Sequence, residues 1–353
     1  MCSGALLLGT LTATAQPNCK LRADKVVYLY PEGQNSDKGL PEAEGPLASN
    51  GNTADMESIA ENGNISYMGD NARMELYFPK KPNGQMVIVC PGGGYWITSS
   101  WNEGLYVADW MLSENITVCV VEYRMPNGNW NIPLQDIQNA FRYCRAHAQE
   151  WGVNQIGVMG FSAGGHLAAS TSNLFVDEVT RPDFSILIYP VITMNKAYTH
   201  MGTRTNLIGP DEKWDNKDVM LKDFEEAQKK KYELERRYSL EAQVTKKTPS
   251  TYLIHCTDDT VVPVMNSMNY YLSLMNNGVP VEFHIYPTGG HGWGFSAEKF
   301  VGKGNDRFAY ARSEFENCYK VLQYIADLSD HNGNKEFAAS VRDHFNALIE
   351  AYE

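Results

Sequence analysis

The chain has 353 residues and carries 42 Asp and Glu against 30 Lys and Arg, a formal net charge of −12 at pH 7. This acidity leaves no basic surface to neutralise a phosphate backbone, so we expect no nucleic acid partner. The length suits one large domain or two smaller ones, and we expect one.

The N-terminal residues have features of a secretory signal. A short apolar stretch, residues 4–15, ends in Ala13-Thr14-Ala15, which is similar to a signal peptidase site, although no positive charge precedes it. We therefore expect a signal-like segment over residues 1–15, an N-terminal extension over 16–70, and a secreted or periplasmic protein; a disordered apolar N-terminus is the alternative. Elsewhere no stretch approaches the roughly 18 apolar residues of a membrane span.

From residue 71, apolar runs of strand length alternate with helical patterns. Met86-Val87-Ile88-Val89-Cys90 is apolar throughout, which is typical of a strand buried on both faces of a parallel sheet. The alternation predicts an α/β fold, a mostly parallel central sheet with helices on both faces. Strands are predicted over 73–78, 86–90, 116–122, 155–159, 184–189, 251–256 and 281–286, and helices over 103–114, 132–150, 163–174, 264–277 and 308–327.

Two features modify this pattern. The first two runs are joined by Lys81-Pro82-Asn83-Gly84, which predicts an antiparallel hairpin. Residues 197–247, with a polar helix over about 217–237, form an insertion between late strands, which is either a lid or substrate-shaping segment or a surface excursion. The predicted catalytic domain is therefore 71–353, with 197–247 inserted.

The seven cysteines show no repeated short spacing. Cys90, Cys119 and Cys256 lie within or at the ends of apolar strand-like runs, which predicts buried thiols rather than disulfides or metal ligands. We expect no metal.

A serine lies on a sharp glycine corner in Gly160-Phe161-Ser162-Ala163-Gly164-Gly165. The apolar run before it predicts a strand, and the residues after it predict a helix. Gly-x-Ser-x-Gly in this context is a nucleophile elbow, in which small glycines allow a tight turn that exposes the serine hydroxyl. Ser162 is therefore the predicted nucleophile; a plain glycine-rich turn is the alternative.

A serine hydroxyl needs a base and a group that orients the base. His291 follows the last predicted sheet strand in a glycine-rich loop, where an imidazole can reach over the sheet edge. Asp258 and Asp259 follow the strand over 251–256, and either carboxylate could reach that imidazole. We assign Asp258 to the triad and Asp259 to a turn or helix cap. The order serine, aspartate, histidine is that of α/β-hydrolases.

A glycine run after the strand over 86–90, Cys90-Pro91-Gly92-Gly93-Gly94-Tyr95, exposes amides that a ligand can approach. Gly93, Gly94 and Ala163 are the predicted oxyanion-hole donors. A phosphate cradle would need a following Lys-Ser or Lys-Thr, which is missing. Nearby aromatic rings could stack on a sugar or an aromatic acyl group, or simply pack in the core: Tyr95, Trp96, Trp101 and Trp293.

Three further blocks accompany the elbow and the glycine run: Arg181-Pro182-Asp183 with the apolar run after it, Asp258-Asp259-Thr260-Val261-Val262-Pro263, and Gly290-His291-Gly292-Trp293-Gly294. Together the five blocks resemble bacterial α/β-hydrolase esterases that deacylate plant polysaccharides, the acetyl xylan esterase and feruloyl esterase-like group. The resemblance spans about residues 71–328. It implies an α/β-hydrolase fold, Ser-Asp-His catalysis without a cofactor, and an acylated oligosaccharide or polysaccharide as substrate. This chain departs from the family in the length of its polar helix over 217–237 and in having Pro91 where related lipases have histidine.

The resemblance makes a serine esterase that removes acetyl or other small acyl groups from xylan-type glycans the expected function. A feruloyl esterase and a prolyl-oligopeptidase-type serine peptidase are alternatives, the latter because it shares the Asp-Asp-x-Val-Val-Pro turn. A carbohydrate-binding protein without catalysis on the same fold is a third, less favoured because a binding module has no use for an elbow serine and a loop histidine.

Overall fold

The computed structural model describes residues 19, 21–30, 58–59, 65–67, 72–215 and 220–295, with the backbone alone at 58–59 and 65–67. The signal-like segment, most of the N-terminal extension and the helix predicted over 308–327 lie outside these residues and stay predictions, as do the domain bounds.

The described elements follow the predicted alternation of strand and helix. The strands are β1 (Lys25–Tyr28), β2 (Ser58–Ile59), β3 (Ile65–Tyr67), β4 (Arg73–Tyr77), β5 (Gln85–Cys90), β6 (Thr98–Ser99), β7 (Thr117–Glu122), β8 (Gln155–Phe161), β9 (Phe184–Ile188), β10 (Ser250–Cys256) and β11 (Val281–Tyr286). The α-helices are α1 (Tyr106–Ser113), α2 (Asn131–His147), α3 (Ser162–Asn173), α4 (Met201–Ile208), α5 (Asp211–Trp214), α6 (Leu221–Tyr238) and α7 (Met265–Asn276). A π-helical turn, Trp101–Leu105, precedes α1, and a 3-10 turn, Leu240–Ala242, follows α6.

The main sheet has the order β1-β4-β7-β5-β8-β9-β10-β11, and a small sheet has the order β2-β3-β6. From β7 to β11 every neighbouring pair is parallel, while β1, β4 and β7 pair antiparallel. The mostly parallel sheet is therefore as predicted.

The predicted hairpin between the first two runs is wrong, because β7 lies between β4 and β5 in the sheet. The connecting turn bonds to residues near the starts of β7 and β8: the Asn83 N–H donates to the Asn115 carbonyl, and the Gly84 carbonyl accepts the N–H groups of Asn154 and Gln155. After this turn β5 lies in the centre of the sheet, between β7 and β8.

Alternate residues of the strands face two separate apolar layers, as the two-residue period of a strand requires. Met86, Ile88 and Cys90 pack on the side of α2, α3 and α7, whereas Val87 and Val89 pack on the side of α1. Helices thus cover both faces of the sheet. Cys90, Cys119 and Cys256 are buried free thiols, which confirms that prediction.

The polar helix predicted over 217–237 is α6, and the segment between β9 and β10 also contains α4 and α5. Within the described residues, no helix combines the length and the apolar character needed to cross a membrane.

Candidate active site

Loops at the carboxyl ends of β8, β10 and β11 bring three side chains together. His291 Nε2 lies 2.8 Å from Ser162 Oγ, and His291 Nδ1 lies 2.7 Å from Asp259 Oδ2. These distances place the hydroxyl, the imidazole and the carboxylate in one continuous series of hydrogen bonds. In such a series the imidazole can take the proton of the hydroxyl, and the carboxylate orients the imidazole.

Ser162 lies at the junction where β8 ends and α3 begins. Its φ is +52°, a left-handed conformation that non-glycine residues rarely adopt and that is common at functional sites. The turn is tight: a Cβ at Gly164 would collide with the Cys90 carbonyl oxygen, and one at Gly160 would collide with the Gly164 carbonyl oxygen. Glycines on both sides of the serine are therefore needed for the chain to turn here.

The Asp259 carboxylate accepts four hydrogen bonds. Oδ1 accepts the Val261 and Val262 N–H groups at 2.9 and 2.8 Å, while Oδ2 accepts from His291 and, at 3.2 Å, from His255 Nε2. Burial alone would raise the pKa of Asp259, but the hydrogen bonds from His255 and His291 and the electrostatic interaction of the carboxylate with both imidazoles outweigh it and hold that pKa well below its usual value. Asp259 is thus ionised beside His291 across the physiological pH range.

The assignment of Asp258 as the partner of His291 is wrong. The Asp258 carboxylate accepts the backbone N–H groups of Gly289 and Gly290, at 3.2 and 2.7 Å, and so holds the loop that carries His291 rather than the imidazole. The Asp259 side chain is fully buried and faces the imidazole. Asp259 also fulfils the turn role expected of it, through its bonds to Val261 and Val262.

The glycine loop, residues 90–95, lies beside Ser162. The Gly92 N–H donates to Glu103 Oε2 at 2.6 Å, and the carbonyls of Gly92 and Gly93 accept N–H groups from residues 96–99. In the described part of the chain, no group accepts a hydrogen bond from the N–H of Gly93, Gly94 or Ala163. The three predicted oxyanion donors are therefore uncommitted; their role stays a prediction.

Residues 74–274, 201 of the 353, match the model of the BD-FAE family. The chain belongs to the BD-FAE family. It is 37% identical over 228 residues to an acetylxylan esterase of Xylanibacter ruminicola, a match that covers 64% of this chain and 44% of that protein. It is 30% identical over 230 residues to the endo-1,4-beta-xylanase B of Butyrivibrio fibrisolvens, covering 61% and 33%. The matches thus span less than half the length of both curated relatives.

Solved structures share the fold of this BD-FAE protein. An acetyl ester-xyloside bifunctional hydrolase from Caldicellulosiruptor lactoaceticus superposes with a TM-score of 0.59 at 26% identity, over 85% of this chain and 98% of that one. A carboxylesterase from Lactobacillus plantarum gives the same TM-score at 20% identity, over 72% and 93%. The predicted α/β-hydrolase fold is confirmed.

The four aromatic residues expected near the substrate differ in exposure in this BD-FAE protein. Trp96, next to the glycine loop, is 47% exposed, and Trp101 is half-buried. Tyr95 is buried and its hydroxyl donates to His166 Nδ1 at 3.0 Å, while Trp293 is buried with its ring 4.6 Å from that of Tyr189. The expectation that Tyr95 and Trp293 stack on substrate is wrong, because their rings pack in the core.

The segment 197–247 reaches the glycine loop of this BD-FAE protein. Asn206 Nδ2 donates to the Gly94 carbonyl at 2.9 Å, and a Cβ at Gly94 would lie 3.6 Å from His200 Cε1. Burial lowers the pKa of His200, and the nearby charge of His291 lowers it further. The segment therefore borders the site, and its lid or substrate-shaping role stays a prediction.

Three buried residues at the site were not singled out from the sequence: His255, Glu103 and Tyr189. His255 Nε2 lies 2.9 Å from the Val262 carbonyl, which can only accept, so this nitrogen carries the proton; Nδ1 accepts from the Ser267 hydroxyl at 2.8 Å. The sequence offers one sign that His255 belongs to the site: it lies next to the end of β10, four residues before Asp259. Glu103 is 4% exposed, and its carboxylate joins Gly92 to the Tyr189 hydroxyl.

Proposed function

We propose that the protein is a serine carboxylic ester hydrolase that removes acetyl or other small acyl groups from plant oligosaccharides or polysaccharides such as xylan. The observation that carries this proposal is the continuous hydrogen-bonded chain Ser162–His291–Asp259 on a nucleophile elbow. The names of the relatives as an acetylxylan esterase and an acetyl ester-xyloside hydrolase support the substrate class.

In this reaction His291 Nε2 takes the proton of Ser162 as the serine oxygen attacks the ester carbonyl. The same nitrogen then gives the proton to the departing sugar oxygen, and water hydrolyses the acyl-enzyme by the reverse sequence. Asp259 holds the proton of His291 on Nδ1 and stabilises the imidazolium that forms. No cofactor takes part in this scheme.

The negative oxygen of the tetrahedral intermediate would be bound by backbone amides. The N–H groups of Gly93, Gly94 and Ala163 are suited to this role because none is used inside the described structure. The loss of one such donor costs roughly 3–4 kcal/mol of transition-state stabilisation in other enzymes.

The glycan part of the proposal is supported by Trp96. Trp96 directly follows the glycine loop, its N–H donates to the Gly93 carbonyl at 3.0 Å, and its side chain is 47% exposed. Flat aromatic faces of this kind pack well against the apolar faces of sugar rings.

Acetate release from acetylated xylo-oligosaccharides tests the proposal. We expect release by the wild-type protein and its loss in Ser162→Ala, with fluorophosphonate labelling lost in parallel. Ser172→Ala is the matched control, because this buried serine lies in the same helix and its hydroxyl donates to the Ala168 carbonyl rather than to His291. Cleavage of a feruloylated arabinoxylan fragment instead of the acetylated one would move the assignment to a feruloyl esterase, and cleavage of neither glycan would reject the substrate class.

We also propose that the protein is exported, since a polysaccharide substrate lies outside the cell and residues 13–15 have the small-residue pattern of a signal peptidase site. N-terminal sequencing of the protein from its native host should begin at Gln16. A mature protein that still carries residues 1–15 would contradict this.

A further inference from the structure

Glu103 is an acidic side chain in the interior of the protein, in the π-helical turn that precedes α1. Burial raises the pKa of its carboxyl group above the usual value, although hydrogen bonds from Tyr189 and Gly92 and the charge of His291 reduce the rise. A buried carboxylate costs free energy unless it is well paired. Here each oxygen has a donor: Gly92 N–H at 2.6 Å on Oε2 and the Tyr189 hydroxyl at 2.7 Å on Oε1.

The first of these bonds acts on the glycine loop. Gly92 is packed between Glu103 and the elbow: a Cβ at this position would lie 2.7 Å from Glu103 Oε2, 2.6 Å from the Phe161 carbonyl oxygen and 3.0 Å from Ser162 Cβ. Glu103 therefore holds the first glycine of the loop against the nucleophile, and among the described residues no group accepts a hydrogen bond from the next two amides, those of Gly93 and Gly94.

The second bond acts on the loop that carries His291. The Tyr189 hydroxyl, which donates to Glu103, also accepts the Gly294 N–H at 2.8 Å. The Tyr189 ring lies 4.7 Å from the His291 ring, centre to centre. The Glu103 carboxylate is thus joined directly to the glycine loop and, through Tyr189, to the loop that carries His291.

We propose that Glu103 is a positioning residue of the esterase reaction: it fixes the glycine loop beside Ser162, fixes the histidine loop through Tyr189, and its negative charge stabilises the imidazolium of His291. This inference rests on the proposed esterase function. It assigns to Glu103 a role in transition-state geometry and proton transfer rather than in substrate binding.

The charge part of the proposal predicts a direction for the pH dependence. The titratable groups around His291 are Asp259 and Asp258 from the loop after β10, Glu103 from the π-helical turn, Tyr189 from the end of β9, and His200 from the inserted segment. Removal of the Glu103 charge leaves the protonated imidazole less stabilised. The acid limb of the kcat/KM profile, which reports this base in the free enzyme, should therefore move to lower pH.

Glu103→Gln is the decisive variant, because it keeps the size of the side chain but loses the charge and one acceptor. With an aryl acetate as substrate we expect kcat to fall about 10- to 100-fold while KM changes less than about threefold, with the acid limb shifted down. Glu103→Asp keeps the charge but not the reach, so its acid limb should stay at the wild-type pH although kcat falls.

Glu122→Gln is the matched control. Glu122 is equally buried, at the end of β7, and bonds to the Thr98 hydroxyl at 2.6 Å rather than to Gly92 or Tyr189. We expect its kcat to stay within about threefold of wild type, and thermal unfolding of all three variants to show that they are folded.

Two results would overturn the inference: wild-type kcat and pH profile in Glu103→Gln, or an equal loss of kcat in Glu122→Gln. A wild-type protein that neither cleaves aryl acetates nor reacts with a fluorophosphonate would instead overturn the proposed function, and with it this inference. The wild-type assay therefore separates the two failures.

Discussion

Asp258 and Asp259 are neighbours in sequence, yet they hold the same loop by different means. Asp258 binds the backbone N–H groups of Gly289 and Gly290, whereas Asp259 binds the imidazole of His291. One carboxylate thus fixes the path of the loop, and the other fixes the orientation of the side chain that the loop presents to Ser162.

This division predicts different consequences for two identical substitutions. Asp259→Asn should lower kcat about 10⁴-fold, because an amide can hold the imidazole in the wrong tautomer and does not stabilise the imidazolium. Asp258→Asn keeps an acceptor for one glycine amide and should cost less than about tenfold, the value of one ordinary hydrogen bond. Steady-state kinetics on an aryl acetate would measure both, and the reverse ranking would restore Asp258 as the triad acid.

A second prediction concerns His255, which is fully buried behind Asp259. His255→Phe removes one of the two imidazole donors from Asp259 Oδ2 and leaves the two backbone donors on Oδ1. We expect kcat to fall about tenfold, since one hydrogen bond to a charged group is lost. His284→Phe on β11 is the control, because His284 pairs with Glu282 at the surface. An unchanged kcat in His255→Phe would mean that the backbone bonds suffice to place Asp259.

A third prediction concerns the exposed ring of Trp96. Trp96→Ala should raise KM for acetylated xylo-oligosaccharides by up to about tenfold, in line with the value of one aromatic contact, and leave KM for a small aryl acetate nearly unchanged. Tyr28→Ala, an equally exposed aromatic residue on the edge strand β1, should change neither constant. An equal rise in KM for both substrates would show that Trp96 shapes the catalytic centre rather than a sugar subsite.

Local signals account for most of what the sequence predicts correctly. The elbow was predictable because a serine on a glycine corner, between an apolar run and a helical pattern, is typical of a strand-turn-helix nucleophile, and α3 begins at Ser162 itself. The long helix of the insertion was predictable over 217–237 because a polar helical pattern has its own period, and α6 is Leu221–Tyr238. His291 was predictable as a loop histidine that follows a strand of the sheet.

The failures arise where three-dimensional contacts decide. β4 does not pair with β5, although the turn between them favours a hairpin, because β7 arrives from later in the chain and lies between them. Asp258 and Asp259 have the same chemistry at the end of one strand, so only the direction of each side chain distinguishes them. Glu103 and Tyr189 are ordinary residues in sequence, and their importance follows from burial and from partners 11 to 105 residues away.

The last prediction concerns the stability of the protein in acid. His166, four residues after Ser162 in α3, is fully buried; its Nε2–H donates to the Tyr238 carbonyl and its Nδ1 accepts from the Tyr95 hydroxyl. Burial lowers the pKa of His166 to about 4, whereas the unfolded chain has a histidine pKa near 6.5. Between these two values the unfolded state binds a proton that the folded state does not. The free energy of unfolding should therefore decrease as pH falls from 6.5 towards 4, by about 2 kcal/mol between pH 7.5 and pH 5.

Urea unfolding at these two pH values would measure the contribution of His166. His166→Gln can keep a donor towards Tyr238 and an acceptor towards Tyr95 but cannot titrate, so the pH-dependent loss of stability should shrink by about 2 kcal/mol. His147→Gln in α2, a half-buried histidine bonded to the Tyr143 carbonyl, is the control and should keep the wild-type difference between the two pH values. An unchanged difference in His166→Gln would mean that the buried imidazole does not account for the acid sensitivity. His166 would then join α3 to Tyr95 in the glycine loop and to Tyr238 at the end of α6 through its hydrogen bonds alone, without an effect of its protonation on stability.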